Sequence, residues 1–410
     1  MEEADVKTVA IIAEYNPFHN GHMHHIDMIR RDFGDDTAIV AVMSGNFTQR
    51  AEPAIADKYA RAEAAVRCGV SLVLELPFPH SVSSAAYFAA CGVHIVSSLG
   101  CVDALSFGSE CADASMLSEI AWRMNSAEYK SEIREALAAE ENRGVGYPAV
   151  CEKVYTRLYG SLPTGIFSPN NILGIEYIKA LHDLGSDITP HTVKRTGGGY
   201  NETDTLPDTG YQSAAALRQL IADGKDISPY IPKESCNVLM REAEKGRFPA
   251  DGIRLSPAVI SKFRLSDRTS PEDYPDGGSG LYNRLFSSAA EANNISSLIS
   301  LSETKKYTRA RVRRGICYHF FGVTSSEVND MPTYALLLAA DEKGQKILKN
   351  VKKTTGFRIL TKPASYTRLD EAARASFERR ARVDSVYELC LPVPGSAPDV
   401  MRRTPFVKKA

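Results

Sequence analysis

Two histidines three residues apart, His19 and His22, are the side chains best placed for chemistry, because imidazole N–H groups can stabilise charge that develops on a phosphate. They lie in the segment 13–22, which reads AEYNPFHNGH. The β-branched run at 9–12 predicts a buried strand, and the apolar spacing over 23–29 predicts an amphipathic helix. A loop that ends at a helix N-terminus favours phosphate, since the helix dipole and free N–H groups point at it. Metal-binding or plain surface histidines are the alternatives, but this context favours a nucleotide site.

Three more short apolar runs alternate with helical patterns and predict strands at 38–43, 72–76 and 104–107, and the segment 187–195 predicts a fifth strand. With the first run they predict an α/β fold, a doubly wound parallel five-stranded sheet, followed by a mainly α-helical C-terminal region. In such sheets the ligand lies across the carboxyl ends of the strands. Polar loops at 14–22, 44–50 and 108–110 all fall at that edge, so we expect them to surround one site.

Two arginines are predicted to approach the same edge from the side opposite the histidines. Arg195 ends the fifth predicted strand, just before a glycine-rich loop at 197–199, and Arg218 lies in a helix that begins near residue 213. Their guanidinium groups would suit a triphosphate. A single arginine is more often a solvated surface charge, and this alternative stays open for each of them.

Composition limits the class of protein. The 410 residues are 43% hydrophobic and 24% charged, as in ordinary globular proteins, and allow two or three domains. No apolar run approaches the ~20 residues of a membrane span, and the acidic start at 1–5 lacks a signal-peptide pattern. The eight cysteines are scattered without a Cys-x-x-Cys pair, which favours reduced thiols over zinc ligands or disulfides. We therefore expect a cytoplasmic protein.

The net charge of −1 hides a strong asymmetry between the two halves. Residues 1–230 carry 18 Lys and Arg against 30 Asp and Glu, whereas residues 231–410 carry 31 against 20, so their formal charges are −12 and +11. A basic half suggests a bound polyanion such as RNA, although a solvated basic surface is the plain alternative. In the densest basic stretch, Tyr307 is available to stack on a base, and the candidate RNA-binding residues are Lys305, Lys306, Arg309 and Arg311.

Several longer strings carry a resemblance to known proteins. They are EYNPFHNGH at 14–22, SGNFTQR at 44–50, ELP at 75–77, FGSE at 107–110, PNNILG at 169–174, and KYT at 306–308 followed by Arg311. The His-x-Gly-His loop is similar to the signature of the nucleotidyltransferase superfamily related to class I aminoacyl-tRNA synthetases. Taken together, the strings resemble the bacterial tRNA(Met) cytidine acetate ligases from about residue 8 to about 390. One departure is SAAALR at 213–218, where superfamily relatives carry Ser-Ser-Thr-x-Ile-Arg, so a threonine contact to phosphate is absent.

The resemblance implies a nucleotidyltransferase-like, ATP-binding catalytic domain at 1–230 and a tRNA-binding region at 231–410. In the reaction it implies, acetate attacks the α-phosphate of ATP and gives acetyl-adenylate and pyrophosphate. The exocyclic amine of the wobble cytidine in elongator tRNA(Met) then takes the acetyl group and becomes N4-acetylcytidine. ATP would arrive with Mg²⁺ from solution, and no resident metal is expected.

The resemblance also implies roles for residues. His19 and His22 would be catalytic, and Arg195 and Arg218 would contact the leaving pyrophosphate. The implied ATP-binding residues are Ile12, Ala13, Glu14, Tyr15, Asn16, Pro17, Phe18, His19, Asn20, Gly21, His22, Met23, His24, His25, Gly108, Asn170 (chosen over its neighbour Asn171), Arg195 and Arg218. Two alternatives stay open: an adenylyltransferase that joins ATP to a small phosphorylated vitamin precursor, and a non-catalytic tRNA-binding protein.

Overall fold

The computed structural model describes residues 6–139, 142, 145–195, 210–268 and 271–408. The glycine-rich loop predicted at 197–199 lies outside these residues. The strands are β1 (Thr8–Ala13), β2 (Ala38–Ser44), β3 (Leu72–Leu76), β4 (Ala104–Ser109), β5 (Thr189–Lys194), β6 (Tyr334–Ala340), β7 (Arg358–Leu360) and β8 (Phe406–Val407). The helices are α1 (Asn20–Phe33), α2 (Lys58–Arg67), α3 (Ala85–Ser98), α4 (Ala114–Met124), α5 (Ala127–Ala138), α6 (Tyr147–Tyr159), α7 (Pro169–Asp183), α8 (Ala214–Ala222), α9 (Lys233–Glu244), α10 (Ser256–Leu265), α11 (Leu281–Glu291), α12 (Ile295–Ser302), α13 (Arg309–Phe321), α14 (Ser325–Asn329), α15 (Glu342–Thr354), α16 (Glu371–Tyr387) and α17 (Ala397–Arg402).

The five predicted strands form one continuous parallel sheet in the order β5-β4-β1-β2-β3, which confirms the doubly wound fold. Every residue of β2 and β3 is buried, as expected for parallel strands that helices cover on both faces. The order reverses direction at β1, between β4 and β2, and this switch point is where such sheets bind ligands. The fold therefore places the histidine loop that follows β1 at the binding edge.

The sheet continues into the C-terminal part of the chain, which the sequence did not predict. Strand β6 pairs antiparallel with β3, while β7 and β8 each pair parallel with β6. The seven residues of β6 read YALLLAA and are all buried, so the strand shows no alternation of apolar and polar residues. Such a run, rich in leucine and alanine, cannot be told from a helix by its period. The helical prediction for this half otherwise holds.

Two buried cores lie on the two faces of the sheet, and a third joins helices α10–α13 to α16. The third core also contains Phe47 and Phe78, which follow β2 and β3, so the C-terminal helices pack directly beside the binding edge. A buried ion pair strengthens this connection, because the Lys58 ammonium lies 2.7 Å from Glu75 and 2.5 Å from Asp384 of α16. Within the described ranges, no helix combines the length and the apolar character needed to cross a membrane.

Candidate active site

A cleft opens at the carboxyl ends of β1, β4 and β5 and contains most of the predicted ATP-binding residues. Those that line it are Ile12, Ala13, Glu14, Tyr15, Asn16, His19, Gly21, His22, His24, His25, Gly108, Asn170, Arg195 and Arg218. Four others, Pro17, Phe18, Asn20 and Met23, do not line it. Phe18 is buried and packs 4.9 Å from the Tyr15 ring, and the Asn20 amide donates to the backbone carbonyls of Gly210 and Pro229. Phe18 and Asn20 therefore support the loop without lining the cleft.

The two histidines cap helix α1, and the backbone N–H groups that their rings accept fix the tautomer of each. The backbone N–H of His19 donates to Nδ1 of His22, and the backbone N–H of Gly21 donates to Nδ1 of His19, both at 3.1 Å. A neutral ring that accepts at Nδ1 carries its proton on Nε2. Gly21 is required here, since a Cβ would lie only 2.9 Å from Cε1 of His19. The sequence predicted that free backbone N–H groups at the start of the helix would face a phosphate. Two of the N–H groups at this end, those of His19 and Gly21, are instead used for capping, and each histidine ring keeps an Nε2–H as a donor.

Both rings are neutral at physiological pH. Burial, together with Arg195 and Arg218, lowers the pKa of His19 to about 3. Burial and the neighbouring His19, His25 and Arg195 also hold the pKa of His22 well below its ordinary value. The rings stack with centroids 3.7 Å apart, so a charge on either would repel a charge on the other. The pair therefore offers two neutral N–H donors beside two arginines.

Buried Arg61 holds together the backbone from which the cleft is built. Its guanidinium donates to the carbonyls of Glu14, Ser44, Gly45 and Ala56, and its side chain is almost completely buried. These carbonyls belong to the ends of β1 and β2 and to the segment before α2. Next to them Tyr15 has a left-handed backbone with φ of 48°, which is unusual for a bulky residue. Arg61 therefore fixes a loop that would otherwise relax, and nothing in its local sequence pattern announced this role.

A hydrogen-bonded chain runs from the cleft to the surface through His25. Its Nε2 lies 2.7 Å from Oγ of Ser106, which lies 2.9 Å from Nδ1 of His191, whose Nε2 lies 3.2 Å from the Asp32 carboxylate. Because the carboxylate only accepts, the order of donors is fixed when His191 is neutral. His25 then donates through Nε2 and keeps Nδ1 as an acceptor. Burial also lowers the pKa of His25 to about 3, with smaller effects of His191, His24 and Arg195.

On the far side of the cleft, Glu110 follows β4 and contacts the N-terminus of α7. Its carboxylate accepts from Ser168, from the Asn170 amide and from the backbone N–H of Asn171. Burial raises the pKa of Glu110, but the hydrogen bonds from Asn170 and Ser168 outweigh it and hold the pKa below its usual range. Asn170 lines the cleft and accepts from Arg195 at 3.3 Å. Its neighbour Asn171 is buried and instead accepts from the backbone of residues 110 and 111, which makes it a support for the loop.

Arg218 enters the cleft from helix α8 and donates to the carbonyl of Asn16 at 2.9 Å. The helix begins after Ser213, whose hydroxyl accepts from the backbone N–H of Ala216. Ala214 and Ala215 line the cleft at the positions where the sequence departs from the superfamily pattern. The departure at 213–218 thus places two alanine methyl groups beside Arg218 in the cleft wall.

Several lining residues were not predicted as site residues. They are Ile11, Gln49, Arg50, Phe88, Phe107, Leu173, Tyr177, Val193, Lys194, Tyr211, Gln212, Ser213, Ala214 and Ala215. The backbone N–H of Gln49 donates to the Glu14 carboxylate at 2.7 Å, which fastens the loop after β2 to the loop after β1. The position of segment 44–50 at the end of a predicted strand was the signal that could have identified Gln49 and Arg50.

Three of the four predicted RNA-binding cations already have partners within the chain. Arg311 makes a two-pronged ion pair with Asp276, with both distances 3.0 Å, whereas Arg309 pairs with Glu303 at 3.2 Å. Lys306 donates to the Ser279 carbonyl, and Lys305 is exposed. The prediction that Tyr307 could stack on an RNA base is wrong, because its ring is buried and its hydroxyl donates to Ser279.

Comparison with known proteins connects this site to a family. The model of the HIGH Nucleotidyl Transferase family matches residues 6–398. A tRNA(Met) cytidine acetate ligase from Acetivibrio thermocellus is 35% identical over 94% of this chain and 95% of its own length, and one from Caldanaerobacter subterraneus subsp. tengcongensis is 36% identical over the same shares. Crystal structures of Thermotoga maritima TmcAL cover 98% of this chain and 100% of their own. The apo form has a TM-score of 0.90 at 29% identity, and the form bound with alpha-thio ATP has 0.87 at 30%.

Proposed function

The chain belongs to the tRNA(Met) cytidine acetate ligases and is an ATP-dependent ligase that modifies tRNA; we propose that it activates acetate and acetylates N4 of the wobble cytidine of elongator tRNA(Met). The observation that carries the proposal is the pair His19 and His22, which line the cleft as neutral rings with their protons on Nε2. Neutral donors beside two arginines suit a phosphate that is attacked by an anion, because they stabilise developing charge at low cost of reorganisation.

In the proposed first step, a carboxylate oxygen of acetate bonds to the α-phosphorus of ATP. The bond from that phosphorus to the oxygen bridging to the β-phosphate breaks, and pyrophosphate leaves. The protein mainly has to hold the reactants in line and stabilise charge. His19 and His22 would donate to the α-phosphate oxygens, while Arg195 and Arg218 would bind the pyrophosphate. Asn170 supports this arrangement because its amide oxygen accepts from Arg195.

In the proposed second step, N4 of the cytidine attacks the carbonyl carbon of acetyl-adenylate. A carbon–nitrogen bond forms, the bond from that carbon to the phosphate oxygen breaks, AMP leaves, and N4 loses one proton. The basic half of the chain, with its formal charge of +11, would hold the tRNA through phosphate contacts. We keep the cytoplasm as the expected compartment, since ATP, acetate and tRNA are all present there.

We propose that Mg²⁺ enters with ATP as a part of the substrate. Phosphate oxygens are good ligands for this hard cation, and protein sites often supply only one or two carboxylates. Among the described residues no group of three or more His, Cys, Asp or Glu is arranged to hold a metal ion. The one carboxylate that lines the cleft within the described ranges, Glu14, already accepts from Gln49. The residues present therefore fit a metal that stays on the triphosphate better than one bound by the protein.

Two alternatives remain: one predicts a different reaction and the other predicts none. A small-molecule adenylyltransferase would use the same histidine loop, but it leaves the basic character of residues 231–410 without a purpose. A non-catalytic tRNA-binding protein would have no reason to keep His19, His22 and two arginines around one cleft.

Acetate-dependent exchange of labelled pyrophosphate into ATP, measured without tRNA, tests the first step. Mass spectrometry of nucleosides from elongator tRNA(Met), incubated with the protein, ATP and acetate, tests the second. The control is the same tRNA with uridine at the wobble position, which has no exocyclic amine to acetylate. Exchange that ignores acetate but responds to a phosphorylated vitamin precursor would support the adenylyltransferase, and no exchange at all would support the binding protein.

A further inference from the structure

A second cavity of about 690 Å³ lies directly beside the ATP cleft. The loop after β2 borders both, since Gln49 and Arg50 line the cleft whereas Ala51 and Glu52 line the cavity. Arg218 lines both spaces. A ligand group in the cavity would therefore lie next to a nucleotide in the cleft.

One stripe of helix α13 forms a wall of the cavity. Arg309, Arg313, Ile316 and Phe320 lie at helical spacing and all line it. Arg313 pairs with Glu52 at 2.5 Å, but its Nε–H is buried and has no hydrogen-bond partner among the described residues. The rest of the guanidinium is not closed off, since the side chain is 20% exposed, and its other N–H groups can donate to an acceptor group of a ligand.

Of the phenylalanines that line the cavity, Phe47 is buried in the third core, whereas Phe320 and Phe321 are partly buried and pack against it. Phe47 and Phe78 each pack edge-to-face against Phe321, with ring centroids 5.2 Å apart. Phe320 is half-buried, and its one close ring neighbour among the described residues is Phe321 at 4.8 Å. Its other face is therefore the best candidate in the cavity for stacking on a planar ring.

We propose that this cavity receives the acceptor cytidine, unstacked from the anticodon loop, with Phe320 as the stacking platform and Arg313 as a donor to the base or its phosphate. The inference rests on the proposed function and names where its RNA substrate binds. Enzymes that act on a nucleobase take it out of the stack into a pocket, because the reactive atom is otherwise hidden. Four arginines line the cavity against two carboxylates, which favours a polyanion over an apolar peptide.

The test compares the binding of two anticodon stem–loop RNAs, one with cytidine at the acceptor position and one with an abasic site there. Wild-type protein should prefer the cytidine RNA roughly tenfold to a hundredfold, since stacking of one base on an aromatic ring has that effect. Phe320→Ala should lose most of this preference. Phe320→Leu, which keeps apolar packing without a ring, should lose it too, and Phe320→Tyr should restore it.

Trp122→Ala is the matched control, because Trp122 is an exposed aromatic residue that lines neither space. It should keep the full preference for cytidine RNA. Equal affinity of wild-type protein for the two RNAs, or an unchanged preference in both Phe320→Ala and Phe320→Leu, would overturn the proposal. The binding comparison does not require turnover. A wild-type protein that fails to exchange pyrophosphate would therefore refute the proposed reaction, and the RNA comparison would still show whether the cytidine base binds in this cavity.

Discussion

The chemistry of the histidine pair depends on which nitrogen of each ring carries the proton. The ring of His22 has two functions. Its Nδ1 accepts a hydrogen bond from the backbone N–H of His19, and its Nε2 carries a proton that is available as a donor, since His22 lines the cleft. The first contact caps a helix and the second serves the proposed reaction. Asparagine can replace only the Nδ1 acceptor, and glutamine reaches further, toward the position of Nε2.

We expect His22→Asn to keep the fold but to lower acetyl-adenylate formation by about 10²- to 10³-fold, the usual effect of losing one preorganised donor. His22→Gln should retain more activity than His22→Asn, because its amide N–H can reach further into the cleft. Pyrophosphate exchange with acetate gives the rate, and thermal unfolding checks the fold. A His22→Asn protein that exchanges at the wild-type rate would show that Nε2 has no part in the reaction.

At the scale of elements, the cleft depends on how the loops after β1 and β2 are held relative to α2. Arg61 joins them by donating to four backbone carbonyls, and burial lowers the pKa of its guanidinium, with partial compensation from Tyr387 and Asp57. Lysine carries the same charge on a single compact ammonium and cannot span four carbonyls.

Arg61→Lys should therefore lower the free energy of unfolding by on the order of 3 kcal/mol, since buried carbonyls lose their partners. It should also raise the KM for ATP, because Glu14 and the segment around it line the cleft. Chemical denaturation and pyrophosphate exchange measure the two effects. Arg67→Lys on the same helix is the control, as Arg67 is partly exposed and pairs with Glu63 at the surface end. Equal stability losses for the two variants would contradict the role of Arg61.

At the scale of the whole molecule, the opposite charges of the two halves predict that tRNA binding to the basic half weakens as the salt concentration rises. Of the predicted RNA-binding cations, Arg309 and Arg311 are already paired with acidic residues, so Lys305 and Lys306 are the more available to phosphates. Alanine at both should weaken tRNA binding and flatten its salt dependence, by roughly one unit of slope for each phosphate that the protein no longer neutralises. Acetyl-adenylate formation should hardly change.

Affinity for tRNA at several salt concentrations measures this effect. The matched control replaces Lys130 and Arg134 of α5, two cations in the acidic half, and should leave the slope unchanged. If the control changes the slope as much as the Lys305 and Lys306 variant, the RNA does not lie on the basic half.

Buried neutral histidines also make the stability of the whole fold depend on pH. Burial, with a smaller effect of Lys262, lowers the pKa of His319 to about 4, and neither ring nitrogen has a partner within the described structure. Below pH 6.5 the unfolded chain binds a proton that the folded protein refuses, so stability falls as the pH falls toward 4. His319→Phe cannot titrate and should keep about 1 to 2 kcal/mol that the wild type loses between about pH 7 and 5.

The test of this effect is unfolding by denaturant at about pH 7 and about pH 5, on either side of the ordinary histidine pKa. His182→Gln serves as the control, because His182 is exposed and should follow the wild type. His319→Phe fits the site sterically, since the ring already packs between Phe263 and Phe286 with centroids at 4.3 and 5.1 Å. A His319→Phe protein with the same pH dependence as wild type would place the acid sensitivity in other groups.

The sequence alone determined the five parallel strands, the edge at which their loops meet, and the histidine loop at its centre. These features are local, because a strand is a short run of residues and a strand–loop–helix unit fits within about 30 residues. The resemblance carried by the longer strings then identified the family that the comparisons confirm.

Only the tertiary structure decided the features that join distant parts of the chain. Strand β6 pairs with β3 although the two lie far apart in the sequence. An apolar run of seven residues does not indicate which strand it will pair with. Arg61 and Arg313 read as ordinary helix charges until the carbonyls and the cavity beside them are known. The tautomers of His19 and His22 likewise follow from hydrogen bonds that exist only in the folded loop. Period and motif specify local structure, whereas contacts between distant residues depend on the packing of the whole chain.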